Sequence, residues 1–108
     1  MIATIKIEDS WLRVYNPQGV QLSQMPCIKL TLVAVSAHFF ITKQGPWIIT
    51  YNQHCKTIGQ MLPCTVKVRG VKEQTFTTLE GRWMRMYDMQ CNKINERRIG
   101  RGLQWTVR

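Results

Sequence analysis

Short alternating runs of apolar and polar residues recur along the chain. Trp11-Leu12-Arg13-Val14-Tyr15, Trp47-Ile48-Ile49-Thr50-Tyr51 and Trp83-Met84-Arg85-Met86-Tyr87 each place two side chains on one face and three on the other, the two-residue period of a β-strand. Residues 83–98 taken alone could be drawn as a helix, because Trp83, Tyr87, Gln90 and Ile94 fall on one stripe. Its counterparts forbid that reading. Pro17 would sit in the helix interior of the first, and the second opens on Gly45-Pro46 and continues as a β-branched and aromatic run. The pattern therefore predicts strands throughout.

The three runs are copies. Trp11, Trp47 and Trp83 are spaced 36 residues apart, each is followed four residues later by tyrosine, and each tyrosine by an Asx residue: Asn16, Asn52 and Asp88. Leu22, Ile58 and Ile94 extend the columns at equal offsets. A period of this length marks a duplicated supersecondary unit. In the middle copy the unit parses into strands over 28–37, 39–43, 47–51 and 56–61. Glu8-Asp9, Gln44-Gly45 and Glu80-Gly81 are the expected tight turns between second and third strands. Asn16-Pro17-Gln18-Gly19 has the residue preferences of a type I turn after the third.

The chain starts inside a unit, at a second strand, and its tail Leu103-Gln104-Trp105-Thr106-Val107 alternates like a first strand. The two termini would together complete one unit and close a ring with fewer exposed edges. The expected fold is thus a single all-β domain over 1–108. Its units are about 1–37 (with 103–108 completing the ring), 38–74 and 75–102, each four-stranded, with pseudo-threefold symmetry. A β-trefoil is the first expectation, with a β-prism or half of a dimeric six-bladed propeller as alternatives, three blades being too few for a closed propeller. The layout, a hairpin ending in Tyr-Asn or Tyr-Asp three times, is similar to the bulb lectins of monocot plants. Their sugar-binding pattern is Gln-x-Asp-x-Asn-x-Val-x-Tyr. The matching columns here read Ile7, Asp9, Trp11, Arg13, Tyr15; Lys43, Gly45, Trp47, Ile49, Tyr51; and Leu79, Gly81, Trp83, Arg85, Tyr87. Only the tyrosine survives in all three copies, so mannose binding does not carry over.

Charge narrows the partners. The formal net charge is +9, and from Lys67 to Arg108 ten basic residues face four acidic ones, a bias toward anionic polymers whose binding would weaken as salt rises. Leu12 with Val14, Ile48 with Thr50 and Met84 with Met86 are the expected core face of the third strands. The opposite face carries Trp11, Arg13 and Tyr15; Trp47, Ile49 and Tyr51; Trp83, Arg85 and Tyr87. Aromatics flanking arginine can stack on bases or sugar rings, although residues present in every copy also suit a packed seam between units. With Arg97, Arg98 and Arg101 from the basic stretch near the C-terminus, these aromatic and arginine residues form the candidate ligand-binding set.

The remaining chemistry is sparse. Cys27, Cys55, Cys64 and Cys91 show no Cys-x-x-Cys spacing, so no metal site and no cofactor is expected. His38 and His54 fall in different columns, and the six carboxylates lie mostly in turns, leaving no general acid–base pair; Cys55 with His38 is the one nucleophile pairing to check. The longest apolar run, Leu30–Ile41, is far shorter than the roughly 18–20 residues that span a bilayer. Residues 1–9 lack the features of a signal peptide, which predicts a cytoplasmic protein with reduced thiols. The expected function is a non-catalytic module that binds an anionic polymer, nucleic acid or acidic glycan. Alternatives are a lectin-like module with up to three quasi-equivalent sites, or an assembly protein docking by its repeat faces onto other copies or another protein.

Overall fold

A computed structural model describes residues 1–62 and 66–99; the tail expected to close the ring lies outside these residues. Eleven strands are described and no helix: β1 (Thr4–Glu8), β2 (Trp11–Tyr15), β3 (Gln21–Pro26), β4 (Thr31–Val35), β5 (Phe40–Gln44), β6 (Trp47–Tyr51), β7 (Thr57–Met61), β8 (Lys67–Lys72), β9 (Thr75–Glu80), β10 (Trp83–Asp88) and β11 (Lys93–Arg98). They form three antiparallel meanders, β1-β2-β3, β4-β5-β6-β7 and β8-β9-β10-β11. The stretch from Trp83 to Arg98, the one segment with a helical stripe, is two paired strands. Among the described residues no helix is long and apolar enough to cross a membrane.

Positions 36 residues apart occupy the same place in their sheets. Trp11, Trp47 and Trp83 open β2, β6 and β10 and pair with Glu8, Gln44 and Glu80. The two-residue loops are therefore Asp9-Ser10, Gly45-Pro46 and Gly81-Arg82, one residue later than the turn preferences alone place them. Asp9 and Ser10 both have positive φ (51° and 66°), the type I′ requirement. Gly45 and Gly81 carry it at the first loop position only (57° and 60°), as in a type II′ turn, where Pro46 with its locked negative φ fits second.

The Asx column builds the opposite turn. Asn16 Oδ1 accepts from the backbone N–H groups of Gln18 and Val20. Asn52 Oδ1 accepts from those of His54 and Lys56, and Asp88 Oδ1 from those of Gln90 and Asn92. In each turn the Asx carbonyl also accepts from the residue three further on: Gly19, Cys55 or Cys91. That residue has a left-handed φ of 79°, 59° or 65°. This is a three-residue hairpin loop, a type I turn closed by a left-handed residue, and a separate bulge at Leu22, Ile58 and Ile94 shifts the ladder register between Tyr15, Tyr51 or Tyr87 and the residue before it. Cysteine takes the left-handed position twice where glycine takes it once, at a cost of roughly 1–2 kcal/mol each.

The sheets stack face to face with the β4–β7 sheet in the middle. Its Phe40 and Tyr51 pack with Leu12 and Val14 of the first sheet and with Ile2 just before it. Its Ile41 and Ile48 pack with Phe76 and Tyr87 of the third, together with Phe39 and Val66. Each seam holds an equivalent stacked aromatic pair, Phe40–Tyr51 at 5.2 Å and Phe76–Tyr87 at 5.3 Å. The middle sheet is thus apolar on both faces while the outer two each keep one open face. That position in the stack corrects one expectation about the core. Leu12, Val14, Ile48 and Thr50 are buried, whereas Met84 and Met86 are only half-buried, because no fourth sheet among the described residues covers them.

Candidate binding surface

The candidate residues separate into buried, paired and exposed groups. Tyr51 and Tyr87 lie inside the seams, 7% and 9% exposed, and the Tyr51 hydroxyl accepts a 2.7 Å hydrogen bond from Gln44 Nε2. Tyr15, in the same column, is half-buried on the open face of the first sheet, with Lys6 Nζ 5.3 Å from its ring centroid. The two central arginines hold carboxylates. Arg13 reaches Glu8 at 3.6 Å. Arg85 reaches Glu80 at 2.9 Å and Glu96 at 3.2 Å, and these bonds, Glu80's first, raise its pKa further. Glu96 is held below the usual carboxylate range by Lys93 and then Arg85.

The three tryptophans stand at the hairpin ends of their sheets and remain 36–40% exposed. Their surroundings differ. Trp11 faces Pro26 across the ladder and Trp83 faces Arg98. Arg85 lies 5.7 Å from the Trp83 ring centroid. Arg82 occupies the adjoining hairpin loop, and its carbonyl accepts from Ile99 N–H at 2.7 Å, which ties the loop to the end of β11. The result is an exposed cluster of Trp83, Arg82 and Arg98 at one corner of the third sheet. Arg97 projects to the other face, with Nη2 3.9 Å from Met84 Sδ; Arg101 lies outside the described residues. Arg82, Arg97 and Arg98 make no salt bridge among the described residues, unlike Arg85 and Lys93.

Two features lie outside that candidate set. Arg82 belongs with Arg85, Arg97, Arg98 and Arg101 to the basic residues near the end of one unit, and its place at the corner depends on the β11 end folding back against the hairpin loop. The second is an open groove of about 220 Å³ on the uncovered face of the third sheet, lined by Thr77, Met84, Met86, Asn95, Glu96 and Arg97. Its floor is the Met84/Met86 column expected to be core.

Burial works against ionisation at two of the thiols. Cys55 Sγ lies 3.2 Å from Ser23 Oγ, and burial pushes its pKa up, as it does for Cys91. An activated nucleophile needs the opposite shift. No group of three His, Cys, Asp or Glu side chains could hold a metal ion among the described residues. No protein-family model matches the chain, and no curated protein matches it either.

Proposed function

We propose that this protein is a non-catalytic binding module whose basic, aromatic-bearing corner on the third sheet engages an anionic polymer. The observation that carries the reading is the cross-strand neighbourhood of exposed Trp83 and Arg98 beside Arg82. A ring able to stack and two arginines with no carboxylate partner among the described residues supply the two ingredients of single-strand or acidic-glycan binding. Arg85, already held by two carboxylates, orients the indole and is not a ligand contact.

The test is a tryptophan-fluorescence titration with single-stranded DNA and with heparin across a salt series. The double variant Arg82→Ala/Arg98→Ala is expected to bind more weakly and to reduce the log–log salt slope by about 2, one per lost phosphate or sulfate contact. The two polymers distinguish nucleic acid from glycan. Binding at low salt no better than that of a neutral protein, or a variant slope equal to wild type, refutes the proposal. A lectin-like reading rests on the three half-exposed tryptophans at equivalent positions. It requires neutral glycans to quench all three, with Trp11→Ala and Trp47→Ala as costly as Trp83→Ala.

The reading extends to architecture and setting. We take the three sheets as copies of one unit, stacked as blades in preference to a trefoil barrel or a prism. Support comes from strand pairing confined to residues 4–26, 31–61 and 67–98, so that β4 and β8 group with the strands after them and not with the units about 1–37 and 38–74, and from the identical bonding of the three Asx turns. A cytoplasmic setting agrees with the free thiols of Cys27, Cys55 and Cys91.

A further inference from the structure

Each interior seam contains a plug and a socket. In the first, the Asn52–Lys56 turn of the middle sheet presents the Gln53 carbonyl to Ser23 Oγ at 2.6 Å, with Cys55 Sγ against the same hydroxyl. In the second, the Asp88–Asn92 turn of the third sheet presents the Met89 carbonyl to Thr50 Oγ1, again at 2.6 Å, with Cys91 Sγ at 3.9 Å. Gln53 and Met89 are the same turn position. The sockets also correspond, being the cross-strand pairs Val14/Ser23 and Thr50/Gly59. One hydroxyl serves each socket: it comes from the edge strand in the first and from the inner strand in the second.

One socket and one plug remain unmatched among the described residues. The third cross-strand pair at this position is Met86/Asn95, and it floors the open groove beside Thr77 and Met84. The third turn is Asn16–Val20, built by the same four hydrogen bonds, with Pro17 at the position of Gln53 and Met89. Pro17 is exposed where Gln53 and Met89 are half-buried. The two cannot meet within one molecule, because the first and third sheets pack on opposite faces of the middle one.

We infer that the groove on the third sheet receives the Asn16–Val20 turn of a second copy of this chain, in a head-to-tail interface that repeats the interior seams. The Asn95 side-chain amide donates to the Pro17 carbonyl, replacing the hydroxyl of Ser23 or Thr50. Tyr15 lies over Met84 and Met86, as Tyr51 lies over Leu12 and Val14. A heterologous contact of this kind closes into a ring or propagates as a filament, according to the rotation it imposes. The join is weaker than the interior seams for two reasons. Thr4 stands where Phe40 and Phe76 complete the aromatic pairs, and Arg97 stands where Met25 and Met61 pack into the seams. A sheet face four strands wide and five residues long measures only about 19 by 17 Å. Association is therefore concentration-dependent, and added salt favours it by screening two chains of charge +9.

Sedimentation velocity in moderately high salt without polyanion, from micromolar to millimolar protein, tests the interface. Wild type is expected to associate progressively. Met86→Asp blocks the socket and Tyr15→Asp the plug face, so each variant alone stays monomeric. Mixed together they form a heterodimer and nothing larger, since one intact socket meets one intact plug. Asn95→Ala, a milder change, weakens wild-type association about tenfold through one lost hydrogen bond. Thermal unfolding of each variant as a monomer controls for folding. Wild type that stays monomeric throughout, single variants that still associate, or a mixture that fails to form the heterodimer overturns the inference. None of these outcomes depends on whether the Trp83 corner binds polyanion.

Discussion

Gly59 measures how closely the second seam is drawn. A Cβ built on it would lie 2.4 Å from the Gln90 carbonyl oxygen, 2.5 Å from the carbonyl carbon and 2.8 Å from Cα. All three are backbone atoms of a turn tied by four hydrogen bonds, so no side chain can swing away; Gly59→Ala must push the whole turn back by about 1 Å to reach ordinary contact. Two costs follow. Overpacking a close-fitting interior typically costs about 1–3 kcal/mol. Displacing the turn also breaks the Thr50–Met89 hydrogen bond, which takes the donor from the Met89 carbonyl and leaves Thr50 only its longer 3.3 Å bond to the Gly59 carbonyl, about 1–3 kcal/mol. The expected loss is about 3–4 kcal/mol, a drop in Tm of well over about 10 °C for a domain of this size. Urea denaturation of Gly59→Ala against Gly70→Ala reads it, because a Cβ at Gly70 meets nothing within 4 Å and should change stability by under about 1 kcal/mol. The double variant Thr50→Val/Gly59→Ser transplants the first seam's Val14/Ser23 pair and should be less destabilised than the sum of its single changes, with a coupling of at least about 1 kcal/mol. A Gly59→Ala cost matching that of Gly70→Ala would falsify the close seam and the plug-and-socket account built on it.

Two further outcomes follow from neighbouring positions. Thr78 is fully buried and its hydroxyl has no hydrogen-bond partner among the described residues. At the equivalent Thr42 the hydroxyl donates to the Ile49 carbonyl and accepts from Gln44 Nε2, whereas Glu80, in Gln44's column, is a carboxylate and cannot donate. Thr78→Val should therefore stabilise by about 1–2 kcal/mol and Thr42→Val destabilise by about 1, and urea midpoints moving in the same direction for both would refute the contrast. Glu96 bonds Lys93 and Arg85 in the folded state and its pKa is depressed, so its support for β11 is present above the ordinary carboxylate range and lost as pH falls through its folded value. Hydrogen exchange should show β11 amides losing protection on acidification ahead of the β5–β6 hairpin, and Glu96→Gln should abolish that early loss; an unchanged profile in the variant would sink it.

The strands were legible because each copy repeats the same two-residue period, and the helical stripe at 83–98 was overruled by what Pro17 and Gly45-Pro46 permit in its siblings. Cys55 and Cys91 shared a visible column, and Gly19 in that column was the available signal for a left-handed turn residue. What alternation could not reveal was order in the stack. The same columns are buried in the middle sheet and uncovered at an end, so Met84 and Met86 read as core and Tyr15 read like Tyr51. The seams were hidden for another reason. Their central hydrogen bonds end on the carbonyls of Gln53 and Met89, main-chain atoms to which residue type is nearly indifferent. Only the hydroxyl leaves a trace, and it moves from Ser23 to Thr50 between copies.

The alternation of β11 makes the two proposed surfaces separable. Arg98 pairs with Trp83, while Asn95 and Arg97 pair with Met86 and Met84 on the opposite face. A polymer bound at the Trp83 corner therefore approaches from the margin of the covered face, and a second copy docks on the uncovered one. Salt acts on the two with opposite sign, weakening the first by making counterion release less favourable and aiding the second by screening repulsion. Arg98→Ala should reach only polymer binding and Asn95→Ala only association. Arg97→Met, which restores the residue found at positions 25 and 61, should tighten association because the groove regains an apolar wall and loses a charge directed at the incoming chain. Were the charges of β11 there for solubility alone, the three substitutions would be interchangeable, each lowering the net charge by one or none with no preference between the faces.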